Sequence, residues 1–124
     1  MSDQQQPPSP AERRQQMTAE MERTAFQRKA VSRRSASETL ADAVEFFKER
    51  GYRAGASARP NQIYIMGGRE GVIPRVNGDI KAQENVGKGK VTMLTLNGFG
   101  ENLSQTMGEY VDHLRTQRKP DQSG

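Results

Sequence analysis

Residues 72–86 read Val-Ile-Pro-Arg-Val-Asn-Gly-Asp-Ile-Lys-Ala-Gln-Glu-Asn-Val, and the way this stretch folds decides the architecture of the chain. Ile73, Val76 and Ile80 share one face at helical spacing. Pro74 suits a first helical turn, where a missing N–H leaves nothing unsatisfied. Gly78 works against the helix by about 1 kcal/mol relative to alanine. A loop with one helical turn is the other reading.

Two strand-like runs flank this stretch. In Gln62 to Met66, Ile63 and Ile65 point to one face and Tyr64 and Met66 to the other, so both faces are expected to be covered. In Val91 to Leu96, Val91, Met93 and Thr95 alternate with Thr92, Leu94 and Leu96. With residues 72–86 helical, residues 62–97 form a β–α–β crossover, which would be right-handed.

Helices extend the pattern on either side. Ser35 and Glu38 have capping-box spacing. Leu40, Ala43, Val44 and Phe47 follow on one helical face, with Phe46 off the stripe, and Gly51 offers a left-handed cap. Residues 52–60 read as a loop, with Gly55, Ser57 and Pro60 as breakers. Residues 101–118 read as a closing helix carrying Leu103, Met107, Tyr110, Val111 and Leu114 on one side. Residues 11–34 are helix-prone and charged, with a thin stripe at Met17, Met21 and Ala25.

The expected fold is therefore α/β: a small two-layer sandwich with order α-β-α-β-α and a mostly disordered or helical N-terminal extension. The expected divisions are a flexible, partly helical basic extension at 1–34, an α/β domain at 35–118 and a disordered tail at 119–124. Residues 1–10 are too polar to offset the entropy of ordering.

Composition agrees with a small folded unit. Of 124 residues, 20 are Leu, Ile, Val or Phe, below the roughly 20% usual for compact domains. Eighteen of them fall in residues 40–114, where a core can form. There is no Cys and no Trp, which excludes a disulfide scaffold and a cysteine-ligated zinc site. No run reaches the ~18 apolar residues of a membrane span, and no apolar leader opens the chain. The expected setting is cytoplasmic or nuclear. The net charge of +4 favours acidic partners over basic ones, and most of the excess lies in residues 1–59.

Three short stretches together resemble the Alba family of small DNA- and RNA-binding proteins. They are Asn61-Gln-Ile-Tyr-Ile65 preceded by Arg59-Pro60, then Arg75-Val-Asn-Gly-Asp-Ile80, and then Val91 to Gly100 running into Glu101-Asn-Leu-Ser-Gln-Thr-Met107. The resemblance covers residues 61–114 and implies a β–α–β–α beginning and nucleic-acid binding. Of the family's basic loop pair, which falls near Gly68 and Arg69, only Arg69 keeps its charge. The basic positions of the second bend fall on Phe99, Glu101 and Gln105, none of them basic. The family's closing β-hairpin has no room in Arg115 to Gly124. Thr24 to Val31 is the one N-terminal candidate to replace its strands.

Candidate nucleic-acid contacts are Arg69, Arg75, Lys81, Lys88 and Lys90 between the strands, Phe99 in the second bend, and Arg33 and Arg34 in the basic arm after Arg28 and Lys29. Their bland counterpart is solvated surface, since Glu70, Asp79 and Glu84 are interspersed. Gly67, Gly68 and Gly71 could present N–H groups to a phosphate, or form a plain turn. Tyr64 and Phe99 are the aromatics placed to stack on a base or to join the core. His113, the single histidine, reads as structural.

No catalytic constellation stands out, so neither enzymatic activity, cofactor nor metal is expected. The expected function is a small nucleic-acid-binding protein, RNA before DNA, acting mainly through phosphate contacts. A homodimer or a larger ribonucleoprotein is the expected assembly, with no membrane partner. The alternative is a protein–protein interaction or self-association module working through its helical stripe and exposed strand edge.

Overall fold

The computed structural model describes residues 7–117. The elements are α1 (Pro10–Arg23), β1 (Phe26–Ser32), α2 (Ala36–Glu49), β2 (Arg53–Ala56), β3 (Gln62–Met66), β4 (Asn77–Val86), β5 (Val91–Gly98) and α3 (Glu101–Gln117). The strands form one sheet in the order β1-β5-β4-β3-β2, and every neighbouring pair is antiparallel. From β2 to β5 the chain meanders. The one long connection runs through α2, which carries the chain from β1 at one edge to β2 at the other.

The α/β class and the helices at 10–23, 36–49 and 101–117 follow the sequence pattern, as do β3 and β5. The α-β-α-β-α order is corrected to a five-stranded antiparallel sheet. Residues 77–86 are a strand, not a helix, so no β–α–β crossover spans 62–97. Residues 26–32, assigned to the extension, pair with β5 along their whole length, so the folded unit begins before residue 35. Part of the expected loop 52–60 forms β2. Residues 1–6 and 118–124, and with them most of the expected N-terminal tail and all of the tail at 119–124, lie outside the described residues.

α1 and α2 start as their sequences dictate. Ser9–Glu12 and Ser35–Glu38 both close reciprocal capping boxes, satisfying orphan donors of the first turn. Gly51 takes the left-handed conformation after α2, at φ 91°. α2 and α3 lie on one side of the sheet and bury Leu40, Ala43, Phe47, Leu103, Met107 and Leu114 against Ile63, Ile65, Ile80, Leu94 and Leu96. Phe46, off the apolar stripe of α2, is buried edge-on to Tyr110 of α3 with centroids 5.0 Å apart. It also meets Phe47 at 5.3 Å. Such pairs add about 0.5–1.5 kcal/mol beyond their area. α1 buries no residue fully; Met17 and Met21 only rest against the core.

The strand at 77–86 has a local reason. Gly78, Ile80 and Ala82 turn towards the helices, and Asp79, Lys81 and Gln83 turn away. The helical spacing of Ile73, Val76 and Ile80 arises because Ile73 and Val76 are buried from a loop. Gly78 pairs with Gly98 on β5, directly beneath Met107 of α3. A Cβ on Gly78 would stand 2.5 Å from the Asn97 carbonyl oxygen and 2.6 Å from the Met107 methyl. The glycine that weakens a helix here admits α3 to the sheet.

Two buried hydroxyl networks fasten the ends of the sheet. Thr24 Oγ1 donates to the Glu20 carbonyl at 2.7 Å and accepts from the Gly100 N–H at 2.8 Å, while Ser104 Oγ donates to the Thr24 carbonyl. At the opposite end, Ser32 and Thr39 share a hydroxyl bond of 2.8 Å, and Thr92 Oγ1 donates to the Arg34 carbonyl at 2.7 Å. Gly78→Ala is expected to destabilise the protein by about 1–3 kcal/mol through overpacking. A lower denaturation midpoint with unchanged slope would show it, whereas Gly68→Ala, in open space, supplies the mild control.

Candidate functional site

With both major helices on one side, the other face of the sheet carries no helix of the core. Register fixes which side chains share it, because directly paired residues project to the same side. One row runs Lys29 (β1), Thr95 (β5), Lys81 (β4) and Gln62 (β3). The adjacent row runs Gln27, Asn97, Asp79, Tyr64 and Gly55 across all the strands. Val31, Met93 and Gln83 make a third.

The face is polar, with apolar ground between the polar groups. Lys29 and Lys81 are exposed, and Met93 and Thr95 between them are half-buried. Their strands are separated by one other, so the two ammonium groups spring from backbones roughly 10 Å apart. Arg59 and Asn61 on the β2–β3 loop join them around an open groove of about 570 Å³. Among the described residues, no ion pair engages Lys29, Lys81 or Arg59. Asp79 is occupied by a 2.8 Å bond from Gln62 Nε2.

Tyr64 lies over a glycine. It pairs with Gly55, and a Cβ on that residue would stand 3.2 Å from the Tyr64 hydroxyl and 3.3–3.4 Å from its ring. The ring thus rests on bare β2 backbone, and the side chain remains exposed. An aromatic ring supported on one side and open to solvent on the other is what a stacking platform requires.

The expected contacts divide between the two ends of the sheet. Arg33 and Arg34 follow β1, and Lys88 and Lys90 form the β4–β5 turn; register brings all four to the end where Ser32 faces Thr92. Arg59 belongs to this end as well, since the Ala82 N–H reaches the Asn61 carbonyl at 2.9 Å. Lys81 stands on the open face. Arg69 and Arg75 lie on the opposite end, in the loop between β3 and β4, where Arg75 Nη1 approaches the Met66 sulfur at 3.9 Å. Phe99, at that same far end, is half-buried against the core. So Arg69 and Arg75 share no surface with Lys88 and Lys90.

The helix N-termini, natural anion sites, are taken by the chain's own carboxylates. Glu84 accepts from the Ala36 N–H at 2.6 Å at the start of α2, and Glu70 accepts from the Asn102 N–H at 2.8 Å at the start of α3. The glycine loop closes on itself as a turn: Gly67 N–H bonds to the Val76 carbonyl and Val76 N–H to the Gly68 carbonyl. The acidic residues interspersed among the arginines thus have structural work at both ends.

His113 bonds Asp42 through Nε2 at 3.2 Å, linking α3 to α2. Among the described residues, no group of three or more His, Asp or Glu is arranged to hold a metal ion. No described helix is long and apolar enough to cross a membrane. No protein-family model, curated protein or solved structure matches the chain.

Lys29, Gln62, Thr95 and Arg59 escape the sequence reading as a site because β1 and β4 do. Gln27, Lys29 and Val31 alternate with Phe26, Arg28 and Ala30, but Arg28 occupies an inward-side position and spoils the pattern. In the structure its guanidinium lies over the Phe26 ring, 5.2 Å from the centroid, so the charge reaches water while the stem covers the ring.

Tyr110, beside His113, supplies a pH test of the helix interface. Burial, with the Asp42 carboxylate nearby, pushes its phenol well above the ordinary 10.0, and its hydroxyl bonds the Thr39 carbonyl at 3.3 Å. The folded state therefore holds this proton more tightly than the unfolded chain. Its contribution is full below pH 10.0 and declines as pH rises beyond it. Below the alkaline unfolding transition, the tyrosinate absorbance of the protein and of Tyr110→Phe is expected to coincide. A tyrosinate signal assignable to Tyr110 before unfolding would contradict this burial.

Proposed function

We propose that the protein binds single-stranded nucleic acid, RNA before DNA, across the open face of its sheet. The observation that carries this reading is the row Lys29–Thr95–Lys81–Gln62, with Arg59 at its end. Cations two strands apart can hold successive parts of a phosphate backbone, while the Thr95 hydroxyl between them and the Gln62 amide oxygen beyond Lys81 can bond sugars or base edges. Tyr64, on the adjacent row, offers its free ring face to an unstacked base.

A single strand suits this surface better than a duplex. The face is a broad platform with an aromatic ring lying on it, the kind of surface on which splayed bases stack. Arg33, Arg34, Lys88 and Lys90 extend the positive charge beyond one end of the sheet and lengthen the track available to phosphates. This ligand class is the one the Alba-type resemblance implies, carried by a different surface from that family's loops. Arg69, Arg75 and Phe99 take no part in it.

The test is a fluorescence-anisotropy titration with short labelled RNA and DNA strands of mixed sequence at several salt concentrations. Affinity is expected to fall with salt by about 0.7 logarithmic units per phosphate contact. Lys29→Gln with Lys81→Gln should reduce that slope by about 1.4. Tyr64→Ala should cost roughly 1–3 kcal/mol for the lost stack and leave the slope unchanged. Arg69→Gln should bind like the parent. Absence of binding to either strand at low salt, or equal binding by the double variant, would reject the proposal.

A further inference from the structure

The free edge of β1 offers a second surface, which meets the open face at Lys29. Among the described residues, β1 is the outermost strand, hydrogen-bonded on one side only, to β5. In an antiparallel ladder every second residue turns its N–H and C=O away from the partner strand, so about three residues of β1 present unpaired groups outward. Gln27, Arg28 and Lys29 in the middle of the strand are exposed.

Beside that edge, β1 and the last turns of α3 enclose a notch of about 210 Å³. Ala30, Val111 and Leu114 give it an apolar floor, and Lys29 and Arg115 rim it. The notch is smaller than the roughly 300 Å³ at which small-molecule pockets begin. It has room for one aliphatic side chain attached to a chain outside it.

We infer that the β1 edge takes up an acidic, extended peptide segment by strand addition, with one aliphatic side chain of the guest seated in the notch between β1 and α3. Main-chain bonds to the edge would supply affinity, and the notch would set the register of the guest. Charge complementarity selects the guest. Arg28 and Lys29 lie on the strand, Arg33 and Arg34 follow it, and Arg115 stands at the rim. Asp112, the nearby carboxylate, is already held by Arg115 at 3.4 Å.

The same charges reject a second copy of this chain. A two-fold antiparallel pairing centred on β1 would set Lys29 directly opposite Lys29 of the other copy, an unfavourable cross-strand pair. Basic residues on an edge strand discourage self-pairing in general, and here they leave the edge open to a guest of opposite charge.

The probe is a labelled seven-residue peptide alternating glutamate and valine, with leucine at its centre. Anisotropy should show saturable binding to the whole protein, and amide hydrogen exchange should show new protection in β1. Ala30→Leu, which fills the notch from within, should weaken binding by about tenfold, and Arg115→Glu should weaken it as well. Thermal melts of both variants would establish that they remain folded. The same peptide with lysine in place of glutamate should not bind.

Binding without β1 protection, equal binding by both folded variants, or no binding of the acidic peptide would overturn the inference. So would a concentration-dependent dimer that protects β1, which would assign the edge to a second copy. Lys29 is common to both surfaces, but Ala30→Leu and Arg115→Glu touch only the notch and Tyr64→Ala only the open face, so either proposal can fail while the other stands.

Discussion

The sheet is covered by its two major helices from one side, and the chain has the apolar residues to build only that one layer. Its 20 Leu, Ile, Val and Phe residues are largely spent between the sheet and helices α2 and α3. Facing the helices, the central strands therefore carry apolar, small or hydroxyl-bonded residues, with Glu84 at the end of β4 bonded to the start of α2, and the outward positions must tolerate water. The row from Lys29 to Gln62 follows from that constraint. A second apolar layer would have covered Tyr64 and the groove beside Arg59.

One-sided packing puts weight on how closely the helices approach. Gly78 and Gly98 remove side chains where Met107 presses on the sheet, and Gly100, at φ 106°, lets the chain turn from β5 into α3 against Val76. The hydroxyl networks at Thr24 and Ser32 then fix the two ends of β1, so that an exposed edge strand keeps its register. Glu70 and Glu84 complete the arrangement by satisfying the helix starts from outside the helices. These carboxylates are structural, which is why charge counted along the chain says little about where an anion could bind.

Legibility in the sequence followed the strength of local signals. The capping box at Ser35, the stripe from Leu103 to Leu114 and the alternation in Gln62 to Met66 all found their elements. β4 was hidden because two buried loop residues, Ile73 and Val76, lent it a helical period that its own alternation, Ile80 and Ala82, was too short to outweigh. β1 is hidden because Arg28 sits on the helix side, where its guanidinium lies over the Phe26 ring and remains exposed. β2 is four residues of Arg, Ala and Gly whose partner is supplied by β3. The open face could not be read without those strands, since Lys29, Lys81 and Gln62 become neighbours only through pairing. Charge alone marks Arg33, Arg34, Lys88 and Lys90 in the sequence, and tertiary structure gathers them at one end.

The position of β1 also bears on how the protein forms. Residue 26 pairs with residue 98 and residue 32 with residue 92, so among the described residues the first strand in chain order pairs only with the last. Loop-closure entropy opposes such a pairing until the intervening meander is in place. On the ribosome, domains assemble as their chain emerges, and here β1 must wait, both edges bare, until β5 has emerged. Arg28 and Lys29 of β1 then act against pairing of the bare strand with its copies on neighbouring nascent chains.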